Sequence, residues 1–543
     1  MIFQNRQSDI WLALVLTAIG AALSWLLASG LPLIGIDDAA ITRSYAENIA
    51  DGVGYVYNVG GERVEGSTAF LWVSMLTGLY ALTDTPEVLI IILSFAFTTF
   101  AVFGTLRLTR LLAELIDVDD AWAITAMAAF LLASPGYFMW TVWTMMELAL
   151  WSMLLILLVL SLTRSVEDEE SEQGIWIVLI AFLLTLTRPE GIVMALVLVI
   201  IALIIAPWRW RIMTAGILSA LASFIAVTMF RLSYFGQPFP NTFYAKVSSD
   251  RLQGMKDGAK YLIDYVLNAP FAEFFLLALV IGTVWGLIHV FRQTAGSKGI
   301  VLLAAACFSI LLAYAALGGD HFVLWRFYQP ISPLMPVTAA LGVAALLTYL
   351  DRETHQGYSI IGVAGLAVIM TVGSMHYRQV RFDVRKEYTL VQQGLAFGTY
   401  LNEADPRPII GTGPAGGIAL AYDGKILDLL GLNWTVMAHA NPVKIGMRNH
   451  ASFDNATFWK YAPDVVSAFN RQCKSGTTLS FWASDDAAFR GLYGDEDFRA
   501  AYLPVLFTEG DDCWPGFATP DWANRVQLDG MIVLDWNNVT TLQ

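Results

Sequence analysis

The chain has 543 residues, of which 56% are hydrophobic and only 14% charged. Soluble domains carry nearer a quarter charged residues, so the composition points to a polytopic membrane protein surrounded by lipid. A net charge of −14 excludes nucleic acid as a partner, because phosphate backbones need clustered Lys and Arg and no basic stripe occurs.

Residues 11–36 carry no charge and are long enough to cross a hydrocarbon core of ~30 Å as a helix. The stretch is too long for a signal-peptide core and is expected to stay in the mature protein. Similar stretches recur at about 88–106, 121–146, 148–163, 175–187, 191–208, 212–230, 274–291, 299–319, 331–350 and 357–375. Apolar length therefore predicts about 11 transmembrane helices. Charge returns at residue 376, which predicts a membrane domain over 1–375 and a polar C-terminal α/β domain over 376–543.

Lys and Arg in the short loops place the N-terminus inside and the tail outside. The expected location is the inner (cytoplasmic) membrane, with the C-terminal domain on the extracytoplasmic side. The long connections at about 37–87 and 231–273 then lie outside too, which marks that face as the working surface. Cys307 reads as a small packed hydrophobe. Cys473 and Cys513 fall in the tail, in an oxidising compartment, and pair or remain two buried thiols. A disulfide closing that loop contributes roughly 4 kcal/mol in the chain-entropy picture.

Asp37 and Asp38 follow the first span directly. A carboxylate at the bilayer centre costs about 2.5–3.5 kcal/mol, and less at the interface, so the pair has a chemical reason to be there. The blander reading is a helix cap and interface anchor. After it, Ile41, Tyr45 and Ile49 recur at helical spacing, with Arg43 and Glu47 on other faces. This predicts an amphipathic interfacial helix opened by an Asp cap and stopped at Gly52. Further along, Arg188 lies in Thr-Arg-Pro-Glu-Gly between two short spans, as in a broken membrane passage. The aromatic run 137–143 reads as an interfacial belt. Gly411 to Gly416 spells G-x-G-x-x-G, but Asp428 follows too soon for a dinucleotide fingerprint, so a tight strand-to-helix turn is expected.

Four segments carry a resemblance. IDDAAITRSYAENIADGVGYVYNVGGERVEGSTAFLW (36–72) resembles the first outer loop of the GT-C glycosyltransferase family that includes the mycobacterial terminal arabinofuranosyltransferase. YFGQPFPNTFYAK (234–246), GGDHFVLWRFYQPISPL (318–334) and LDLLGLNW (427–434) are similar to later segments of that family, in the same order. Ala40 stands where the family often has Tyr. The resemblance implies a GT-C fold and transfer of a sugar from a polyprenyl-phosphate donor to a glycan, glycolipid or glycoprotein acceptor on the outer face.

The residues suit that chemistry. A hydroxyl nucleophile needs a carboxylate to take its proton, and a single displacement inverts the anomeric centre, so Asp37 or Asp38 is the expected base. The departing phosphate needs fixed cations, for which Arg188, Lys246 and Arg326 are the candidates. Glu65, Glu147, Asn241, Asp320 and His321 are candidate sugar or acceptor contacts. No zinc pattern exists, while a divalent cation bridging the aspartates to the lipid phosphate stays open. The expected sugar is arabinofuranosyl, with a mannosyl or hexosaminyl donor, or a transporter, as alternatives.

Overall fold

The computed structural model describes residues 7–247, 250–354, 381–440, 452–468, 473 and 478–542, with isolated positions between 365 and 375. The predicted span 357–375 lies almost wholly outside the described residues.

Among the described residues, six helices are long and apolar enough to cross a membrane: Gln7–Leu27, Glu87–Leu115, Leu148–Glu167, Pro207–Tyr234, Ala272–Arg292 and Ser297–Ala316. Asp120–Leu132 and Pro135–Trp143, bent by 66° at their junction, count as a seventh if taken as one passage. Six or seven passages thus meet this criterion among the described residues, against an expectation of about 11. The expected spans 175–187, 191–208 and 331–350 fold as the shorter apolar helices Gly174–Thr187, Gly191–Ile205 and Val337–Leu350. A helix of 14 residues rises only ~21 Å, short of the hydrocarbon thickness. The predicted stretch 121–146 is interrupted at Ser134–Pro135, where proline opens a new helix.

The chain divides into two compact units of three segments each. Met1–Leu33, Val88–Val227 and Met255–Val384 form the first, while Ile34–Glu87, Thr228–Gly254 and Arg385–Gln543 form the second. A single cut at residue 375 was expected instead. The two long connections belong with the tail because they share its core, as described below.

In the first unit, Leu148–Glu167 packs against Gly174–Thr187 and Ser297–Ala316. It is central, with 83% of its apolar window buried, against 22% for Ala272–Arg292. Lipid tails are as apolar as Leu, so the outer faces of a helix such as Ala272–Arg292 need no protein cover.

The second unit is built on a mixed sheet. Strands β1 (Ile410–Thr412), β2 (Ile426–Asp428), β3 (Val465–Ser467), β4 (Leu479–Trp482), β5 (Leu503–Glu509), β6 (Asp512–Ala518), β7 (Met531–Val533) and β8 (Val539–Leu542) follow in chain order. Six of them form one sheet in the order β2-β1-β3-β6-β5-β7, and β4 pairs with β8 apart from it. Pairing is parallel around β1 and antiparallel from β3 to β7.

Side chains alternate between two buried faces, as strand period demands. Ile426, Val465, Val505 and Phe507 face one core. Leu427, Val466, Leu506 and Phe517 face another. The first core also holds Ile41, Tyr45, Tyr55, Tyr57 and Ala245, so both long connections fold into the same apolar interior as the tail. A disulfide joins Cys473 to Cys513, and Cys307 is free and buried.

Candidate active site

The predicted site residues fall into two groups, one in each unit. The first group starts at the turn between two short helices. Arg188 is the extended residue that ends Gly174–Thr187, and Gly191–Ile205 begins just after it and packs back against that helix. Its guanidinium is paired with Glu147 and reaches both oxygens of Glu190, each at 3.3 Å. Glu147 precedes Leu148–Glu167 without capping that helix through its side chain, which is turned to Arg188 instead.

Just upstream, Met139–Trp143 is a π-helix and Met145 has φ of 61°. Both are costly local conformations of the kind that cluster at functional sites. The run 137–143 is not an interfacial belt. Tyr137 and Trp140 are fully buried, and Trp140 donates its Nε1–H to the carbonyl of Val323 at 3.1 Å.

Arg326 lies in the same unit. It forks onto Asp320 through Nε at 2.7 Å and Nη2 at 3.2 Å, and the backbone N–H of His321 donates to Asp320 Oδ1 at 3.0 Å. The guanidiniums of Arg326 and Arg188 both approach the ring of Phe327, at 4.9 and 5.5 Å. That ring stacks on Tyr314 at 4.2 Å. Glu147, Arg188, Asp320, His321 and Arg326 are thus gathered around one aromatic pair, with Glu190 as a sixth member. Two arginines face three carboxylates there, so both cations are positioned by acidic partners.

The second group is organised by the tail. Asp37 and Asp38 are the first two residues of Asp37–Ala50, whose N-cap is Ile36, so neither aspartate caps the helix from outside. Asp37 is buried instead and accepts the backbone N–H of Gly416 and of Gly417, both at 3.0 Å. The turn that spells G-x-G-x-x-G does run from β1 into the short helix Gly416–Ala419, and it binds this internal carboxylate. Asp38 is half-buried.

The helix itself is not amphipathic in use. Arg43 is buried, where it pairs with Glu87 and donates to the Tyr80 hydroxyl at 3.0 Å.

Three of the four recognised segments meet in one buried network of this unit. Tyr45 donates its hydroxyl to Asn433 Oδ1 at 3.1 Å and accepts the N–H of Gly66 at 2.9 Å. Asn433 donates its backbone N–H and Nδ2 to Asp428 Oδ2, at 2.8 and 2.9 Å. A Cβ on Gly66 would overlap Asn433 Oδ1 and crowd the Tyr45 hydroxyl, so a larger residue there would push this network apart. Asn241 uses Nδ2 on the carbonyls of Gly431 and Leu432, at 2.8 and 3.0 Å, which makes it a brace between segments. Glu65 is bound bidentately by Arg231, at 2.7 and 2.8 Å. Lys246 ends the short helix that Asn241 begins and is half-buried. Arg231 and Glu190 carry no sequence signal beyond a charge at the edge of an apolar span. Among the described residues, no three His, Cys, Asp or Glu side chains are grouped to hold a metal ion.

Burial pushes the Asp428 carboxyl up to about 6, against the Asn433 and Leu430 donors that pull it down. The unfolded value is ~3.9, so folding favours the protonated acid. The stabilisation from this group is complete below pH ~4 and is lost as pH rises through about 6. The slope is about 1.4 kcal/mol per unit. Thermal unfolding between pH 4 and 7 is expected to show this decline, and Asp428→Asn is expected to flatten it. An identical slope in the variant would remove Asp428 from the account.

The fold is shared with a solved structure of low sequence identity. ArnT from Cupriavidus metallidurans aligns over 94% of this chain and 98% of its own, with a TM-score of 0.55 at 14% identity in its apo state. Bound to undecaprenyl phosphate, the same protein gives 0.54 at 13% identity over the same shares. In sequence, the chain is 28% identical over 333 residues to the terminal β-(1→2)-arabinofuranosyltransferase of Corynebacterium glutamicum. That match spans 56% of this chain and 46% of the relative, about half its length. No protein-family model matches the chain.

Proposed function

We infer that this chain is a membrane glycosyltransferase that moves a sugar from a polyprenyl-phosphate donor to an acceptor hydroxyl on a glycan, glycolipid or glycoprotein. Arabinofuranosyl is the sugar we propose, supported by the likeness to an arabinofuranosyltransferase. One observation carries the reading. Segments widely spaced in sequence that resemble this enzyme family interlock through Tyr45, Gly66, Asn241, Asp428 and Asn433, in a chain that shares the fold of ArnT.

The reaction we propose is one inverting displacement on the outer face of the inner membrane. Asp37 or Asp38 takes the proton of the attacking hydroxyl, a contribution of about 10²–10⁴-fold. Arg188, Arg326 and Lys246 are proposed to meet the charge that develops on the departing lipid phosphate. Glu65, Glu147, Asn241, Asp320 and His321 are proposed to place the sugar or acceptor. For Asn241 and Glu65 that role runs through backbone and Arg231 contacts.

The test is direct. Purified protein in detergent is supplied with a synthetic polyprenyl-phosphate arabinofuranose and a short arabinoside acceptor, and mannosyl and hexosaminyl donors run in parallel. The expected product is a single glycoside of inverted anomeric configuration by NMR. Retention would refute the single displacement, and turnover only with another sugar would correct the donor. No product from any lipid donor would overturn the enzyme reading.

A further inference from the structure

We propose that the two aspartates have unequal jobs: the glycine turn of the tail locks Asp37 as a positioning residue, and Asp38 is the base. This rests on the glycosyltransferase reading above and assigns roles within the same pair.

Each oxygen of Asp37 receives one backbone N–H, Gly416 on Oδ2 and Gly417 on Oδ1. Hydrogen bonds from N–H groups to a carboxylate are charge-assisted, and they weaken when that carboxylate takes up a proton. A base must take up a proton in every turnover. At Asp37 each cycle would loosen two buried contacts, in a place with little water to replace them. A carboxylate held in this way is suited to staying charged and fixing the start of its helix.

The turn that holds it is built rigidly. Residues 411–418 are all buried. The Tyr57 hydroxyl donates to the carbonyl of Ala415, from the same outer connection that carries Asp37. Gly416 is obligatory, because a Cβ there would overlap the backbone carbonyl of Asp37. Gly417 is equally confined by the carbonyl of Val391. The tail therefore grips the helix Asp37–Ala50 by its first residue.

Asp38 is one position further along that helix, about 100° around its axis. Its side chain leaves the helix in a different direction, and it is half-buried where Asp37 is buried. Anchoring Asp37 fixes the helix start and hence the direction of Asp38. The same arrangement makes the tail part of the catalytic machinery, since it supplies the two donors.

Two measurements on the full-length protein test this, with Asp37→Asn and Asp38→Asn. The first is hydrogen–deuterium exchange of the peptide covering 411–420. Asp37→Asn is expected to speed its exchange, because one amide hydrogen of the new side chain opposes a backbone N–H. Asp38→Asn is expected to leave it unchanged. The second is the pH dependence of kcat/KM with the lipid donor. Asp38→Asn should lower kcat by about 10²–10⁴-fold and erase the fall in activity on the acid side. Asp37→Asn should cost up to about 10²-fold through misplacement and keep that acid limb.

The reverse assignment of the limb would overturn the proposal, as would exchange at 411–420 that ignores Asp37→Asn. A wild-type chain inert towards every lipid donor would instead sink the transferase reading, and the exchange measurement would still decide whether the anchor exists.

Discussion

Arg231→Ala is expected to lower the unfolding free energy of this protein by roughly 3–5 kcal/mol, the usual cost of stripping one partner from a buried ion pair. Glu65 and Arg231 are only 3% and 5% exposed, and the guanidinium uses two donors on the two carboxylate oxygens. Burial pushes the Glu65 carboxyl upward while Arg231 pulls it down. Without the arginine only the upward push remains, and the orphaned acid relieves itself by binding a proton. That escape makes the loss smaller in acid than at neutral pH.

Replacing both partners, Glu65→Leu with Arg231→Met, is expected to recover much of the deficit, because two apolar groups leave no stranded charge. Thermal unfolding of the three proteins in one detergent decides the matter. A single variant within about 1 kcal/mol of the parent would show that the pair is not the closed contact described. The consequence for function is specific. The sugar contact proposed for Glu65 would run through a carboxylate already committed to Arg231, so Glu65→Gln is expected to change stability and KM together.

The sequence made the class of fold legible because the segments that carry the resemblance are also those that interlock. Tyr45, Gly66, Asn241, Asp428 and Asn433 lie within the quoted stretches, and each makes a contact that a different residue type would break. Helix number was poorly legible, for a physical reason. Apolar length detects a stretch without charge, and it does not show where the helix within that stretch stops. Gly174–Thr187 and Gly191–Ile205 illustrate this, being uncharged yet only 14 and 15 residues long.

Pairings over long separations were invisible for a different reason. Nothing near Asp37 specifies Gly416, and nothing near Glu65 specifies Arg231. The glycine turn shows the same limit from the other side. Its spacing advertises an anion-binding turn, and the anion proves to be Asp37 of this chain. Likewise the aromatic run around Trp140 has the composition of an interface belt, but Phe322 and Val323 claim it for the interior.

Arg188→Ala is expected to lower kcat with the lipid donor by about 10²–10³-fold, the range seen when one fixed donor to a developing oxyanion is lost. Glu147 and Glu190 hold the guanidinium from two sides. With two carboxylates on one cation, the trio carries a formal charge of −1, which opposes an incoming phosphate until one acid is turned away. Glu190→Gln is therefore expected to tighten donor binding, seen as a lower KM, while Arg188 keeps its place against Glu147.

The alanine variant raises a structural question as well, since it strands Glu147 and Glu190, whose side chains are only 4% and 19% exposed. The triple change Arg188→Met with Glu147→Gln and Glu190→Gln removes those stranded charges and should restore thermal stability without restoring kcat. Recovery of both together would mean that Arg188 serves the fold alone. Full turnover in Arg188→Ala would refute the phosphate role proposed for Arg188.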